Sequence, residues 1–222
     1  MNYQINSNFT GLIVTAFLVS GLIPVPVFAD CADEPAAGVN WAGCDKQGVD
    51  LSGIDLSSAV LTNANLENAN FSGSRLSHAD FNRSSLKNAK FDKARMIGAR
   101  LIGVKAPGAS FRQAILDDAS LSRSSLNSAD FTQARLRRVN FYDADLANAD
   151  FTRANLEGAH LERAKMFAAK YDEANLDAAN LESSDAETAS FKNASLVKAN
   201  LDNAILREAD FTEADLTKAS LR

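Results

Sequence analysis

Few residues of this chain could do chemistry, and they stand so far apart that only the fold could bring them together. Cys31 and Cys44 are the only cysteines, and His78 and His160 the only histidines. Two of each is too little material for a zinc or haem site. The two thiols have one possible intramolecular pairing, a disulfide. Asp130 and Asp150 lie twenty residues apart, with Lys170 at the same interval beyond. Two carboxylates held about 5 Å apart could act as a glycosidase pair. No phosphate-cradling glycine loop, nucleophile elbow, metalloprotease helix motif or calcium loop accompanies them.

The elements that would position these residues begin after a targeting segment. Leu12 to Ile23 are nearly unbroken apolar sequence, followed by Pro24, Pro26 and Val27-Phe28-Ala29. Small residues at the -3 and -1 positions mark a secretory signal, residues 1–29, cleaved after Ala29. Residues 1–11 carry no Lys or Arg, so an uncleaved anchor is the alternative. Export would place the chain in the periplasm, or in the thylakoid lumen if the source has thylakoids. Such compartments are oxidising, and Cys31 and Cys44 would then close residues 33–43 into a loop. Residues 30–45 read as an N-terminal cap and residues 46–222 as one repeat domain.

The repeat has a period of five. Of the 35 positions at five-residue steps from Leu51 to Leu221, only Ala106 and Ala186 are not large and apolar. Two residues before nearly all of them stands a small one, usually Ala, as at Ala64, Ala69 and Ala214. On an α-helix, a step of five advances about 140° beyond a full turn, so these residues would form no face. On a flat strand, an odd spacing sends successive side chains to opposite faces. The chain must instead turn once per pentad, with the small and large residues inside and three positions outside. Stepping by twenty from Leu51, eight of nine residues are aromatic, from Phe71 through Tyr171 to Phe211. A circuit is therefore four pentads. With coils about 4.8 Å apart, about nine of them make a rod roughly 43 Å long.

Ala64-Asn65-Leu66-Glu67-Asn68 and Ala214-Asp215-Leu216-Thr217-Lys218 resemble the A(D/N)LXX unit of the pentapeptide-repeat family. That resemblance implies an all-β fold, a right-handed quadrilateral β-helix, and the handedness is implied by the resemblance alone. It also implies that some members mimic duplex DNA and bind type II topoisomerases. No cofactor is expected.

Apolar residues are 46% and charged ones 23%, which excludes a disordered chain and a multi-span membrane protein. The formal charge of -5 is unevenly spread: -6 over residues 30–74, +8 over 75–138 and -7 over 139–222. A basic belt between acidic ends suits a DNA mimic poorly, and a net charge this mild does not signal nucleic-acid binding. His78 and His160 fall at outward positions, as do Asp130 and Asp150, on a convex surface without long loops to form a groove.

One exterior stretch stands apart. Arg95, Arg100 and Lys105 precede successive large positions, Ile97, Ile102 and Pro107 follow them, and Gly98, Gly103 and Gly108 come next. Basic residues beside exposed isoleucines could contact an acidic partner. At the far end the frame runs through Phe211, Leu216 and Leu221 without a distinct cap, inviting a homodimer through that end. The expected function is an exported, non-enzymatic structural or protein-interaction module with an unknown protein partner. The alternatives are a gyrase-binding DNA mimic and a carbohydrate-active β-helix enzyme.

Overall fold

The computed structural model describes residues 29–222, so the segment read as a signal peptide lies outside the described residues except for Ala29. From Asn40 onward, each residue two before a corner forms a parallel bridge with its counterpart twenty residues on, from Asn40–Val60 to Asn200–Ser220. The offset never changes. Each side contributes a single bridging residue and no longer strand.

The pentad Ala79-Asp80-Phe81-Asn82-Arg83 shows why five residues suffice for one side and one corner. The Ala79 N–H donates to the Leu76 carbonyl at 3.1 Å and closes the turn before it. Asp80 donates back to Ala59 of the coil before, while Phe81 and Arg83 donate forward to Arg100 and Ile102 of the coil after. The remaining N–H, on Asn82, donates to the Asp80 carboxylate at 3.0 Å. Every backbone donor of the pentad is thereby satisfied, as buried main chain requires.

Each corner is a type II turn, whose third residue needs a positive φ. From Gly38 to Lys218 all 37 such residues have φ between 52° and 73°, yet only nine are glycine. A side chain in this region costs roughly 1 kcal/mol or more. The stacked interior offsets that cost at each step, since burying one Leu or Phe contributes about 1.5–3 kcal/mol.

The core consists of the two inward residues of each side. Rings from Phe71 to Phe211 stack in one column, with centroids 4.7–5.0 Å apart and planes within 7°. Phe81 and Phe141, half a circuit away, reach across from the opposite side. Phe81 meets Phe71 and Phe91 edge-on at 5.7 Å, and Phe141 does the same to Phe131 and Phe151 at 5.6 and 5.7 Å. Ala106 and Ala186 share one column. Next to the second of them, Tyr171 extends its hydroxyl to Met166 Sδ at 3.2 Å.

We number the four sides from the pentads that hold the ring column. Face 1 carries residues 90–93 and 110–113, face 2 residues 95–98 and 115–118, face 3 residues 100–103 and 120–123, and face 4 residues 105–108 and 125–128. In each set the second residue points inward and is large except for Ala106.

The N-terminal end is closed. Cys31 and Cys44 are joined, with Cα atoms 5.5 Å apart. Trp41 is buried across the first coil, its indole N–H donates to the Asp33 carbonyl at 3.2 Å, and the Lys46 ammonium sits 4.0 Å over its ring. Lys46, at a position where the frame calls for a large apolar residue, thus ends the core with a charge facing outward. The coil already begins within residues 30–45, because Asn40 and Asp45 bridge to Val60 and Asn65.

Candidate protein-interaction surface

Outward side chains first serve the turns. The N–H of the residue after each large one has no main-chain acceptor, and in eighteen pentads an Asp or Asn two residues earlier accepts it at 2.9–3.3 Å. This is the Asx hydrogen bond that mimics a turn. Where that earlier residue is Arg or Ser, a second solution appears. Asn82, Asp92, Asp117, Asp172, Asp177 and Asp202 each reach the N–H twenty residues on, at 2.8–3.2 Å. Lys105 and Lys87 provide neither acceptor for position 107, and the residue there is Pro107, which has no N–H.

Asp130 stacks on Asp150, and Asp150 on Lys170, through parallel bridges. Both carboxylates are already engaged. Asp130 accepts the Thr132 N–H at 2.9 Å and its hydroxyl at 2.5 Å, and pairs with Arg112 at 2.9 Å. Asp150 accepts the Thr152 N–H at 2.9 Å. His78 lies against Gly98, where a Cβ would come within 2.8 Å of its Nδ1. His160 places Nδ1 3.3 Å from Glu162 on another side of the rod.

The exterior electrostatics are those of ladders between coils. Arg138 donates twice to Asp118 at 2.8 Å and holds that carboxyl below the usual range, as Arg153 does for Glu173. The Ser57 hydroxyl and N–H, with Arg75 beyond, lower Asp55 to about 2. The Thr212 hydroxyl and N–H, with Lys192 behind, lower Asp210 to about 2. These pairs are exposed and individually stabilise little.

Arg95, Arg100 and Lys105 occupy faces 2, 3 and 4 in turn, because a step of five is a quarter circuit. They form a band round the rod. Ile97 is half-buried on face 2 and Ile102 is exposed on face 3. Arg100 approaches Asp80 at 3.5 Å. Arg100 and Ile102 also line a shallow groove of about 490 Å³ with Thr62, Asn63, Asn82 and Arg83.

At the C-terminal end, Phe211 and Leu216 are partly buried and Leu221 is 53% exposed. From Leu206 to Leu221, the N–H groups that would reach a following coil have no acceptor among the described residues. Sequence reasoning passed over Phe167, which is 48% exposed. Its signal was present, since beyond residue 29 it is the only Phe off the five-residue frame.

The family pattern described as "Pentapeptide repeat region" matches residues 84–161, and that described as "Pentapeptide repeats (8 copies)" matches residues 42–77, 144–182 and 187–222. Among curated protein sequences none matches the chain. Among solved structures, the chain is similar to HetL, a pentapeptide repeat protein involved in heterocyst differentiation regulation in the cyanobacterium Nostoc sp. strain PCC 7120. The identity is 30%, over 82% of this chain and 89% of that one, with a TM-score of 0.39. It is similar also to a trypsin-treated form of QnrB1, a plasmid-mediated fluoroquinolone resistance protein. There the identity is 20% over 84% and 92% of the two chains, with a TM-score of 0.37. A third is a pentapeptide repeat protein of the Arabidopsis thaliana thylakoid lumen, 24% identical over 61% and 70%, with a TM-score of 0.17.

Proposed function

The chain belongs to the pentapeptide-repeat family, and from that premise we propose that it is an exported, non-enzymatic rod that works by binding another protein. The rod is a right-handed quadrilateral β-helix of about nine coils. The observation that carries the reading is the use made of its outward carboxylates. Asp130 and Asp150, a stacked pair that could have served acid–base chemistry, are both committed as acceptors of turn N–H groups. What the exterior offers a partner is charge and a few exposed apolar side chains. The +8 belt over residues 75–138 favours an acidic partner and weighs against a mimic of DNA.

Export is supported by the apolar leader and by the Cys31–Cys44 disulfide. N-terminal sequencing of the protein recovered from the periplasm or lumen should begin at Asp30, and recovery from the cytoplasm with thiols free would overturn this placement. The basic band is tested by the triple change Arg95→Glu, Arg100→Glu and Lys105→Glu, which should abolish partner capture while the circular dichroism spectrum is unchanged. Capture that survives it removes the band as the contact. Self-association uses the C-terminal end, where Phe211, Leu216 and Leu221 meet a second copy. Sedimentation should give a dimer that Leu221→Glu dissociates, and a monodisperse monomer at high concentration excludes it.

A further inference from the structure

We propose that face 4 is the docking face of the rod, and that its partner is a protein presenting an apolar pocket beside an acidic patch. This rests on the reading of the chain as a protein-binding module and adds where, and by what chemistry, it binds.

Face 4 differs from the other three in what its outward positions hold. From Lys105 to Ala168, only Lys105, Asp145 and Lys165 among its twelve outward residues are charged. The rest are short or flat, with Pro107, Gly108, Ser125 and Ala147 among them. No ion pair of the described residues touches this stretch, whereas Arg135, Arg137 and Arg138 are all paired on face 2. Out of this low surface stands Phe167, exposed and flanked by Ala147 one coil before, by Ala168, and one coil after by Glu187, whose carboxylate pairs with Arg207 at 2.9 Å. Toward Lys105 the surface beside this aromatic is short and uncharged at Ala147, Asn127 and Pro107, so its burial from that side desolvates few charges, which is the setting of an interface anchor.

Cations without an ion pair gather toward one end of the face. Lys87 and Lys105 lie on it, and Arg83 and Arg123 stand two coils apart at the corner where face 3 turns into face 4. None of the four makes an ion pair among the described residues. Gly103 sits between the two arginines at that corner, and the Arg83 stem lies 3.9 Å from where its Cβ would be. The acidic groups bordering the cluster are Glu67, which accepts the Ser85 hydroxyl at 2.8 Å, and Asp143 and Asp145 beyond Arg123. Cations that form no ion pair with the carboxylates bordering them are open to carboxylates from outside. Three coils separate Lys105 from the level of Phe167, about 15 Å along the rod. The partner therefore carries its acidic patch about that far from its pocket, and the apolar anchor favours a protein over a nucleic acid or a polysaccharide.

The test is photo-crosslinking in the source cells with the full chain carrying p-benzoylphenylalanine at Asn127 on face 4, and in parallel at Thr132 on face 1 and Ser122 on face 3. The expected result is a protein adduct from position 127 mapping to an acidic stretch of another protein. It should be lost with Phe167→Ser and with Lys87→Glu plus Lys105→Glu, and kept with Arg95→Glu plus Arg100→Glu, all with unchanged thermal midpoints. An adduct from positions 122 or 132 alone, one indifferent to the face 4 changes, or one joining two copies of this chain overturns the assignment of face 4 and leaves the module reading standing. No protein adduct from any position overturns both.

Discussion

Asp92 accepts the main-chain N–H of Arg112 twenty residues further on, at 3.2 Å, so one coil supplies the acceptor that the next coil lacks. The pentad of Arg112 has Ser110 where eighteen other pentads have an Asp or Asn that accepts this N–H, and the Ser110 hydroxyl itself donates to the same Asp92 oxygen. Asp92→Ala removes both bonds and should lower the thermal midpoint, by roughly 1–2 kcal/mol of stability. Adding Ser110→Asp to that variant restores a local acceptor for Arg112. The double variant should therefore regain most of the loss, and a double variant no more stable than Asp92→Ala would show that the relay is incidental.

Thr188 is the one β-branched residue among the corner positions, with φ of 58°, and its hydroxyl is buried without a hydrogen-bond partner. β-Branched side chains fit this region worst, whereas Asn enters it readily. Thr188→Asn should stabilise the protein by about 1 kcal/mol, a rise of about 2–4 °C in midpoint for a domain of this size. Differential scanning calorimetry reads this directly, and a lower midpoint would mean that the Thr188 methyl group packs better than its backbone suffers.

The architecture was legible because its signal is long and redundant. A small residue two before a large one, repeated without insertion, admits only a coil, and the aromatic column from Phe71 to Phe211 counts its sides. Contacts around the circumference were less legible. Arg95, Arg100 and Lys105 look like a set because they share a spacing of five, but a common face requires a spacing of twenty, and they lie on three sides. Lys46 looks misplaced in the frame until Trp41 is seen beneath it. The relay from Asp92 to Arg112 joins positions of different type in different coils, so no local motif announces it. Phe167 did announce itself, as a ring off the frame, but repeats draw the eye to what recurs.

The strap at the N-terminal end should matter locally. Cys31 and Cys44 are thirteen residues apart, a closure worth about 3 kcal/mol in the entropic account. Coils of a solenoid interact only with their neighbours, so losing the strap should loosen the first coil before the rest. Cys31→Ser with Cys44→Ser should speed hydrogen exchange at the amides of Trp41 and Gly43, which donate to Val60 and Thr62. Exchange near Phe131 should stay unchanged. Equal acceleration along the whole rod would mean that unfolding is global, and that the strap holds the entire stack.

The pH dependence should have two edges of opposite origin. Asp55 and Asp210 are lowered to about 2 by their Ser57 and Thr212 hydrogen bonds, with Arg75 and Lys192 adding to each. The unfolded chain binds protons at those groups near pH 4 while the folded one does not, so their contribution is complete above about pH 4 and fades as pH falls toward 2. Tyr171 works at the other edge. Burial raises its phenol, so the folded state keeps a proton that the unfolded state sheds above about pH 10, and stability falls as pH rises from there. Asp55→Asn with Asp210→Asn should flatten the acid edge of the midpoint-against-pH curve, and Tyr171→Phe the alkaline one. The two effects are separable because the first pair lies on the exterior and the third residue in the ring column. An acid edge that keeps its slope in the double variant would place the acid-sensitive groups elsewhere, among the other lowered carboxylates: Asp118 and Glu173, held by Arg138 and Arg153, and Asp50, Asp202 and Asp215, held by Ser or Thr hydrogen bonds.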